Sequence, residues 1–304
     1  MISLMQGKIA WVVHVIGVAV TATALVYVSM RIFSSTSLLG QDFSNPSFLA
    51  TLALGAAIYA LFCISIGVAW VTLVDAGHGG TPLGFREGLI IFGRSQILKY
   101  LPSNVLHLVG RYGMARQVGI PHPSLLFSTL AEAGLLVVAS ATIAIFFALP
   151  LLLKYLTPSF GAQSPSFAVL VAFGTLGVVS VYWFGRKGLL RPKMGMALIV
   201  SFALYGVFFL LNGALLGGIT WVSIGHRAAD GYLFILGVAA AAWLGGFVVP
   251  GAPAGLGVRE VLLTSGLEMA GFSSVALTVA LGYRIIILGG DLMLALIAFL
   301  MPRR

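Results

Sequence analysis

One uninterrupted apolar run decides the fold class, and it reads Phe48-Leu-Ala-Thr-Leu-Ala-Leu-Gly-Ala-Ala-Ile-Tyr-Ala-Leu-Phe-Cys-Ile-Ser-Ile-Gly-Val-Ala-Trp-Val-Thr-Leu-Val74. The run has no charged residue, and it exceeds the roughly 20 apolar residues that an α-helix needs to cross a bilayer. Over all 304 residues, 60% are hydrophobic and 8% are charged, against about 25% charged residues in soluble domains. This composition excludes a soluble fold and predicts an all-α, polytopic membrane protein.

Six further apolar runs are long enough to cross a membrane. Together the runs predict about seven or eight transmembrane helices in a single domain that uses the whole chain, 1–304. The first run exceeds the length of a signal-peptide core, so we interpret it as a retained first span. The six runs cover 9–30, 125–153, 167–184, 196–222, 231–249 and 273–301.

Two other stretches, 85–122 and 250–271, are apolar but interrupted by proline, glycine and charge. Backbone N–H and C=O groups that a helix break exposes to lipid cost several kcal/mol, so such segments must pack within protein or line a wet cavity. We therefore predict two re-entrant or interfacial broken helices. Transporter folds hold their substrates at discontinuous helices of this kind.

A shared spacing links the two broken segments. Arg111 follows Pro102 by nine positions, and Arg259 follows Pro250 by nine positions. The second pair lies 148 positions after the first in a chain of 304 residues, which is close to half the chain. The spacing therefore indicates a possible internal inverted repeat with halves 1–153 and 154–304.

The distribution of basic residues predicts the orientation. The loop 186–193 holds four basic residues and is expected in the cytoplasm by the positive-inside rule. Counting spans backward places the amino terminus inside as well. Counting forward places Arg303 and Arg304 outside, against the rule, unless one broken segment crosses fully or the closing run 273–301 is a tight helical pair. The predicted number of crossings therefore stays open between seven and eight.

Three charged residues, Glu132, Arg284 and Asp291, lie inside predicted spans. A charge there costs about 2.5–3.5 kcal/mol on insertion scales, so we expect it to be paired or functional. Arg284 and Asp291 share one helix face about 10 Å apart, too far to pair directly, and Glu132 is a candidate partner. We predict that Arg284 binds substrate and that Glu132 and Asp291 are supporting intramembrane charges; purely structural ion pairs are the alternative.

The first broken segment places basic residues beside a helix break. Pro102 can start a new helix there, and a helix amino terminus presents N–H groups and a partial positive charge to an anion. Arginine adds a planar fork that suits phosphate. We predict Arg94, Lys99, Asn104 and Arg111 as substrate-binding residues. The alternative is that the basic residues only anchor an interfacial helix to lipid head groups.

The second broken segment, Val249-Pro-Gly-Ala-Pro-Ala-Gly-Leu-Gly-Val-Arg-Glu260, predicts a Pro/Gly turn and then a helix that begins near Gly257. Glu260 suits the dipole of the first helical turn, whereas Arg259 does not. We predict that both residues bind substrate. An arginine at that position needs a counter-charge, which an anionic ligand or one of three acids would supply: Glu132, Glu268 or Asp291.

Two groups of motifs carry a resemblance to a known family: Lys99-Tyr-Leu-Pro-Ser-Asn-Val105 with Gly110-Arg111, and Pro250-Gly-Ala-Pro-Ala-Gly-Leu-Gly-Val-Arg-Glu260 with Ala280-Leu-Gly-Tyr-Arg284. In these motifs, and in layout over most of its length, the chain resembles the membrane region of lysylphosphatidylglycerol synthases and its stand-alone, flippase-like relatives. The resemblance implies re-entrant helices and translocation of lipids or lipid-linked sugars, or support of their synthesis.

The chain departs from that family at two places. Ala-Pro-Ala stands within the family's usual Pro-Gly-Gly-Leu-Gly form, and Ser103 stands where glycine is frequent, so loop geometry is expected to differ. The chain also ends at Arg304 without an aminoacyl-transfer domain, so we do not expect a complete lysyl-lipid synthase.

The sequence predicts neither an enzyme nor a nucleic-acid-binding protein. It contains no His-Glu-x-x-His helix and no Gly-x-Ser-x-Gly elbow, and its single cysteine, Cys63, lies in an apolar run. The net charge of +9 comes from basic residues between apolar runs rather than on a water-facing surface. We expect no metal and no cofactor.

The leading hypothesis is a flippase-like protein of the cytoplasmic (inner) membrane. Lys99, Arg111 and Arg259 would bind the phosphate of an anionic lipid or of a polyprenyl-phosphate-linked (glyco)lipid intermediate, and nearby acids would hold these cations when the site is empty. The chain has no Walker sequence for ATP, so transport is expected to be passive or ion-coupled.

Two alternatives remain open from the sequence. The first is a non-catalytic accessory subunit that presents a lipid to a lipid-biosynthesis enzyme. The second is a small-solute or ion-coupled transporter that uses Arg284 and Asp291. Neither the lipid nor the direction of transport follows from the sequence.

Overall fold

The structure is a computed structural model, and it describes residues 22–35, 40, 42–77, 82–101, 106–156, 192–224, 231–249 and 253–302. Every secondary-structure element in these residues is helical. Four of the helices are long and apolar enough to cross a membrane, by length and composition. The prediction of an all-α protein embedded in a membrane is confirmed to this extent.

The described helices agree with the apolar runs of the sequence within a few residues at each end. The predicted span 167–184 and most of 9–30 lie outside the described residues. Two 3₁₀ turns, Ile97–Tyr100 and Pro253–Gly255, interrupt the helices at the predicted breaks. The helices are α1 (Ala22–Ser34), α2 (Pro46–Gly77), α3 (Phe85–Gln96), α4 (Leu106–Gln117), α5 (His122–Leu156), α6 (Pro192–Ile224), α7 (Tyr232–Val248), α8 (Val258–Met269) and α9 (Ala276–Leu300).

From α2 onward, the described helices follow the same order twice. The segment from α2 to α5 consists of a long helix, a shorter helix, a 3₁₀ turn, a helix of 12 residues and a second long helix. The segment from α6 to α9 consists of the same series. The packing repeats as well: the last long helix of each series packs against the shorter helix of the other series, α5 against α7 and α9 against α3. The two 3₁₀ turns contact each other. The spacing shared by Pro102 and Pro250 therefore coincides with a repeated series of elements.

The equivalent long helices α2 and α6 cross antiparallel. The Ser201 hydroxyl of α6 donates to the Ala69 carbonyl oxygen of α2 at 3.1 Å. Further along, the ring centroids of Phe208 and Tyr59 lie 6.2 Å apart. Residue numbers rise along α6 as they fall along α2, so the two helices run in opposite directions.

Helix α9 runs in the same direction as α2, at close range. A Cβ atom added at Gly282 would lie 3.1 Å from the Leu52 side chain. One added at Gly290 would lie 2.7 Å from the Ala56 carbonyl oxygen. Glycine therefore permits the close approach of these two helices. Residue numbers rise in the same direction along α2 and α9, so the two helices are parallel. The closing run 273–301 is a single helix, so the alternative of a tight helical pair is wrong.

Helices α3 and α4 form a hairpin that begins and ends at one end of the bundle. The Ser124 hydroxyl, at the start of α5, donates to the Val74 carbonyl oxygen near the end of α2 at 2.6 Å. Because α3 follows α2 and α4 precedes α5, this contact places both ends of the α3–α4 segment together. The alternative that the segment 85–122 crosses fully is therefore wrong.

Helices α7 and α8 form the equivalent hairpin in the second half. A Cβ atom at Gly245 would lie 2.5 Å from the Leu262 side chain, and one at Gly266 would lie 2.5 Å from Val238. These pairs show that α7 and α8 run antiparallel in close contact. The sequence predicted 231–249 as a separate span, but α7 has only 17 residues and the chain returns along it through α8.

The start of α8 shows how the sequence breaks this hairpin. Ala254, Gly255 and Gly257 have φ values of 49°, 71° and 83°, in the left-handed region where glycine has no Cβ penalty. Glu260 Oε2 then accepts the Gly257 N–H at 2.6 Å, which satisfies one of the free N–H groups of the helix start. The prediction of a helix that begins near Gly257, with Glu260 in its first turn, is confirmed.

Candidate functional site

A cavity lies where the tips of the two hairpins meet, with an empty volume of about 800 Å³ that includes its mouth. Tyr59 and Phe208, near the middle of α2 and α6, line it, so the cavity lies about halfway along the long helices. Six residues that the sequence predicted as functional line this cavity together: Lys99, Arg111, Glu132, Arg259, Arg284 and Asp291.

The first ion pair of the cavity joins α4 to α5. Arg111 Nη1 lies 2.7 Å from Glu132 Oε1, and the two side chains are only 3% and 2% exposed. The guanidinium group also lies over the rings of Phe92 and Trp70, at 4.7 and 5.2 Å from their centroids. Removing one partner of such a buried pair leaves an uncompensated charge, so each residue depends on the other.

The second ion pair joins α8 to α9. Arg284 Nε lies 2.5 Å from Glu260 Oε1, and Arg284 Nη2 donates to the Ala254 carbonyl oxygen at 3.2 Å. Because the other oxygen of Glu260 caps α8, this carboxylate is engaged on both sides. Glu260 is not among the residues that line the cavity, and its role here is to position Arg284 and the helix start.

The third ion pair joins the first 3₁₀ turn to α9. Lys99 Nζ lies 3.2 Å from Asp291 Oδ1, and the Tyr100 hydroxyl donates to Asp291 Oδ2 at 2.9 Å. Asp291 is almost fully buried, whereas Lys99 is 25% exposed. The lysine head is therefore the more accessible member of this pair.

Arg259 makes no salt bridge within the described part of the chain. Its guanidinium lies 5.8 Å from the centroid of the Trp243 ring, and its Nε has no hydrogen-bond partner there. The unfavourable interaction of this cation with the positive end of the α8 dipole is therefore not offset by a salt bridge to a carboxylate in the described residues. The acids that the sequence offered as partners are each bound to another cation: Glu132 to Arg111, Asp291 to Lys99 and Glu268 to Arg31.

Two glycines make room for Arg259 beside the cavity. A Cβ atom at Gly246 would lie 2.5 Å from the arginine Nε, and one at Gly255 would lie 2.7 Å from it. The side chain is surrounded by protein on most sides and keeps some accessible surface where it borders the cavity. An arginine side chain carries its positive charge at neutral pH.

Among the described residues, the charged groups around the cavity leave one positive charge in excess. Four cations face three carboxylates: Lys99, Arg111, Arg259 and Arg284 against Glu132, Glu260 and Asp291. One acid, Asp230, lies outside the described residues. Its neighbour Gly231 packs against Ala270, eleven positions and about 16 Å of helix rise from Arg259.

Two of the predicted substrate-binding residues are not in this group. Arg94 donates from Nε and Nη2 to the carbonyl oxygens of Ala298 and Met301, each at 2.9 Å. A cation at a helix carboxyl terminus is stabilised by the helix dipole, so Arg94 caps α9 instead of lining the cavity. Asn104 lies outside the described residues, and its role stays a prediction.

Sequence reasoning missed several polar residues of the cavity. Gln96 precedes Lys99 by three positions, and His107 precedes Arg111 by four. Positions three or four apart share one face of a helix, so this spacing was a usable signal. Trp243, which lies against Arg259, gave no such signal because it stands in a uniformly apolar run.

Comparison of the chain with protein-family models, with curated proteins and with solved structures gave no match. The resemblance to the synthase membrane region stays a prediction that its motifs carry.

Proposed function

We propose that this chain is a non-catalytic carrier that binds the phosphate-bearing head of an anionic lipid, or of a lipid-linked intermediate, in the central cavity and moves it across the membrane. Arg259 carries the proposal. A cation without a counter-charge is costly at membrane depth, and an anionic head placed against it would remove that cost.

Six crossings and two re-entrant hairpins form the topology that we propose for this function. The crossings are 9–30, α2, α5, 167–184, α6 and α9, and the hairpins α3–α4 and α7–α8 enter from opposite faces. This count places the amino terminus, the basic loop 186–193 and the Arg303-Arg304 end on one face. The positive-inside rule then holds for a multi-pass protein of the cytoplasmic membrane, which a count of seven does not achieve.

An inverted repeat explains how such a site would face each side in turn. The antiparallel crossing of α2 and α6 supports two halves of opposite orientation. Carriers of this kind bind substrate near the bilayer midplane between their repeats, and rocking of one half against the other alternates access. The chain has no ATP-binding motif, so the movement would be passive or ion-coupled.

The three ion pairs differ in how readily they would open for a ligand. Lys99 is 25% exposed, against 3% for Arg111 and 10% for Arg284. Asp291 would keep its hydrogen bond from Tyr100 if Lys99 left. We therefore assign Arg259 as the first contact of the phosphate and Lys99 as the second, with Arg111 and Arg284 held in place by their acids.

Reconstitution of the full chain into phosphatidylcholine vesicles with a trace of fluorescent phosphatidylglycerol tests the proposal. Reduction of the outer-leaflet label by dithionite reports the flip rate. We expect a rate at least about tenfold above that of Arg259→Gln, because losing a buried charge-assisted contact costs about 1.5–3 kcal/mol. Arg86→Gln is the control, since this side chain is exposed, does not line the cavity and donates a hydrogen bond to the Pro302 carbonyl oxygen.

Equal rates for Arg259→Gln and the unaltered chain would overturn the proposal. Absence of flipping by the purified chain would favour an accessory subunit of a lipid-biosynthesis enzyme. Dependence on an ion gradient rather than on lipid type would favour a solute transporter. Substitution of Arg111 is avoided in this assay, because it would leave Glu132 buried without its partner.

A further inference from the structure

The Asp291 carboxylate depends on a single cation for its charge balance. It is 1% exposed and lies well inside α9. Lys99 Nζ lies 3.2 Å from its Oδ1 and 3.4 Å from its Oδ2. The Tyr100 hydroxyl donates to it at 2.9 Å and Cys63 Sγ lies 4.0 Å from Oδ1, but a phenol and a thiol are neutral near neutral pH. Within the described residues, Lys99 is therefore the one cation in contact with this carboxylate.

Lys99 is also the cavity cation whose ion pair opens most readily. It lies on the 3₁₀ turn at the tip of the first hairpin, and no residue of that turn is buried. When Lys99 moves to the phosphate of a ligand, Asp291 keeps the Tyr100 hydrogen bond but loses its cation. A buried charge that loses its partner is strongly destabilised. Binding of one proton to the carboxylate removes that charge.

The other groups around Asp291 do not replace Lys99. Arg284, two helical turns away on α9, lies at a distance of about 10 Å and is held by Glu260. Helices α3 and α6 also pack against α9, and their described residues place no charged side chain in the cavity. The remaining charged and titratable side chains that line the cavity are Tyr59 of α2, His107 and Arg111 of α4, Glu132 of α5 and Arg259 of α8.

We infer that Asp291 binds a coupling proton: when the phosphate draws Lys99 away, the Asp291 carboxylate takes one proton from water that enters the cavity, and the proton crosses the membrane with the anionic head. When the head leaves, Lys99 returns to Asp291 and the proton passes to the water on that side. The bond that forms and breaks is the O–H bond of the carboxylic acid, and no electron is transferred. The inference rests on the proposed function and identifies the ion coupled to it.

The charge balance of the cavity agrees with one proton for each singly charged head. In the described residues, four cations and three carboxylates surround the empty cavity. In the loaded state the same four cations face two carboxylates and the charge of the head, because Asp291 is neutral. One positive charge remains in both states. Net transport is then electroneutral, so it should follow a pH gradient and not a membrane potential.

Vesicles with a pH gradient test the inference. The full chain is reconstituted into phosphatidylcholine vesicles whose interior is more alkaline, with a trace of fluorescent phosphatidylglycerol, and albumin extracts the label of the outer leaflet. Coupling of one proton to one lipid predicts about a tenfold excess of label in the inner leaflet for a gradient of about one pH unit. The ratio does not depend on which way the chain is inserted. A potassium diffusion potential without a pH gradient should leave the two leaflets equal.

Binding in detergent gives a second measurement. The loaded state holds one more proton than the empty state, so the affinity for phosphatidylglycerol should rise as the pH falls, by up to about tenfold per pH unit. Native mass spectrometry of the full chain with phosphatidylglycerol measures this affinity.

One variant and a matched control assign the proton. Asp291→Asn keeps an oxygen that accepts from Tyr100 but binds no proton, so it should flip the label, leave it equal in both leaflets under the gradient, and bind phosphatidylglycerol independently of pH. Asp42→Asn is the control. Asp42 also bonds to α9, by accepting from the Thr278 hydroxyl at 2.8 Å, but it does not line the cavity, and this variant should keep the tenfold ratio.

The possible outcomes separate this inference from the proposed function. Flipping by the unaltered chain with equal label in both leaflets under the pH gradient would overturn the inference alone, without need of a variant. A tenfold ratio that survives in Asp291→Asn would assign the proton to another group, and a ratio that follows the potential would overturn the coupling of one proton to one lipid. Absence of flipping under every condition would overturn the proposed transport itself.

Discussion

Helices α4 and α8 follow the tips of the two hairpins, and each places an arginine at the cavity. In the first half, Arg111 of α4 receives a carboxylate from Glu132 of the following long helix. In the second half the polarity is reversed, because α8 supplies the acid, Glu260, and α9 supplies the cation, Arg284. Arg259 is the neighbour of Glu260 in sequence, but Glu260 pairs with Arg284 and Arg259 has no salt bridge in the described residues.

This difference shows that the side chains, rather than the repeated backbone, distinguish the binding site of one half from the equivalent position in the other. The two halves share helix order, a 3₁₀ turn and a 12-residue helix, so the backbone alone would make two equivalent pockets. Both cavity-lining cations of the first hairpin, Lys99 and Arg111, pair with carboxylates of the long helices α9 and α5. In the second half Glu260 pairs with Arg284, so Arg259 is left without a salt bridge in the described residues. We therefore expect the Arg111–Glu132 pair beside the first hairpin to hold the cavity together, and Arg259 of the second hairpin to be the first contact of the ligand.

Breaking the ion pair of the first hairpin should give the largest effect. Glu132→Gln leaves Arg111 buried without compensation, and we expect a loss of about 3–5 kcal/mol in the free energy of unfolding. Arg259→Gln in the second hairpin removes an unpaired charge and should leave this free energy unchanged or raise it. Unfolding in mixed detergent micelles measures both.

The double variant Arg111→Met, Glu132→Leu is the control for that prediction. It removes both charges of the pair, so most of the lost stability should return. Similar losses for Glu132→Gln and Arg259→Gln would contradict the proposed division between the hairpins.

Filling the space beside Arg259 should give an intermediate effect. Gly246→Ala adds a Cβ atom 2.5 Å from Cγ and Nε of Arg259, so the guanidinium must move. Overpacking of this kind costs about 1–3 kcal/mol, and phosphatidylglycerol affinity should fall with it. The matched change in the first hairpin is Gly113→Ala, whose Cβ would meet nothing within 4 Å. It should stabilise α4 by about 0.5–1 kcal/mol and leave affinity unchanged.

Removing the cap that Arg94 provides should give the smallest effect. Arg94→Gln loses two hydrogen bonds and a favourable charge at the end of α9, and a loss of about 0.3–1 kcal/mol in the free energy of unfolding is expected. Phosphatidylglycerol binding should be unchanged. A fall in affinity as large as that of Arg259→Gln would restore Arg94 to the binding residues.

The sequence by itself determined the class of the protein and the places where its helices break. Long apolar runs predict long helices because lipid tolerates no unpaired backbone, and α2, α5, α6 and α9 follow those runs closely. Proline, glycine and charge within an apolar stretch act locally, so both broken segments were visible. The helix start at Gly257 was visible for the same reason.

Only the tertiary structure decided which charged residues pair, and whether each short helix continues across the bundle or turns back as one arm of a hairpin. Lys99 and Asp291 are 192 positions apart, and their contact depends on how α9 packs against the first hairpin rather than on any local pattern. The sequence predicted the apolar run 231–249 as a span, and only the contacts of α7 with α8 show that the chain returns along it as one arm of a hairpin. That Arg259 has no salt bridge within the described residues follows only when each candidate acid there has been assigned, because pairing is a property of the assembled bundle.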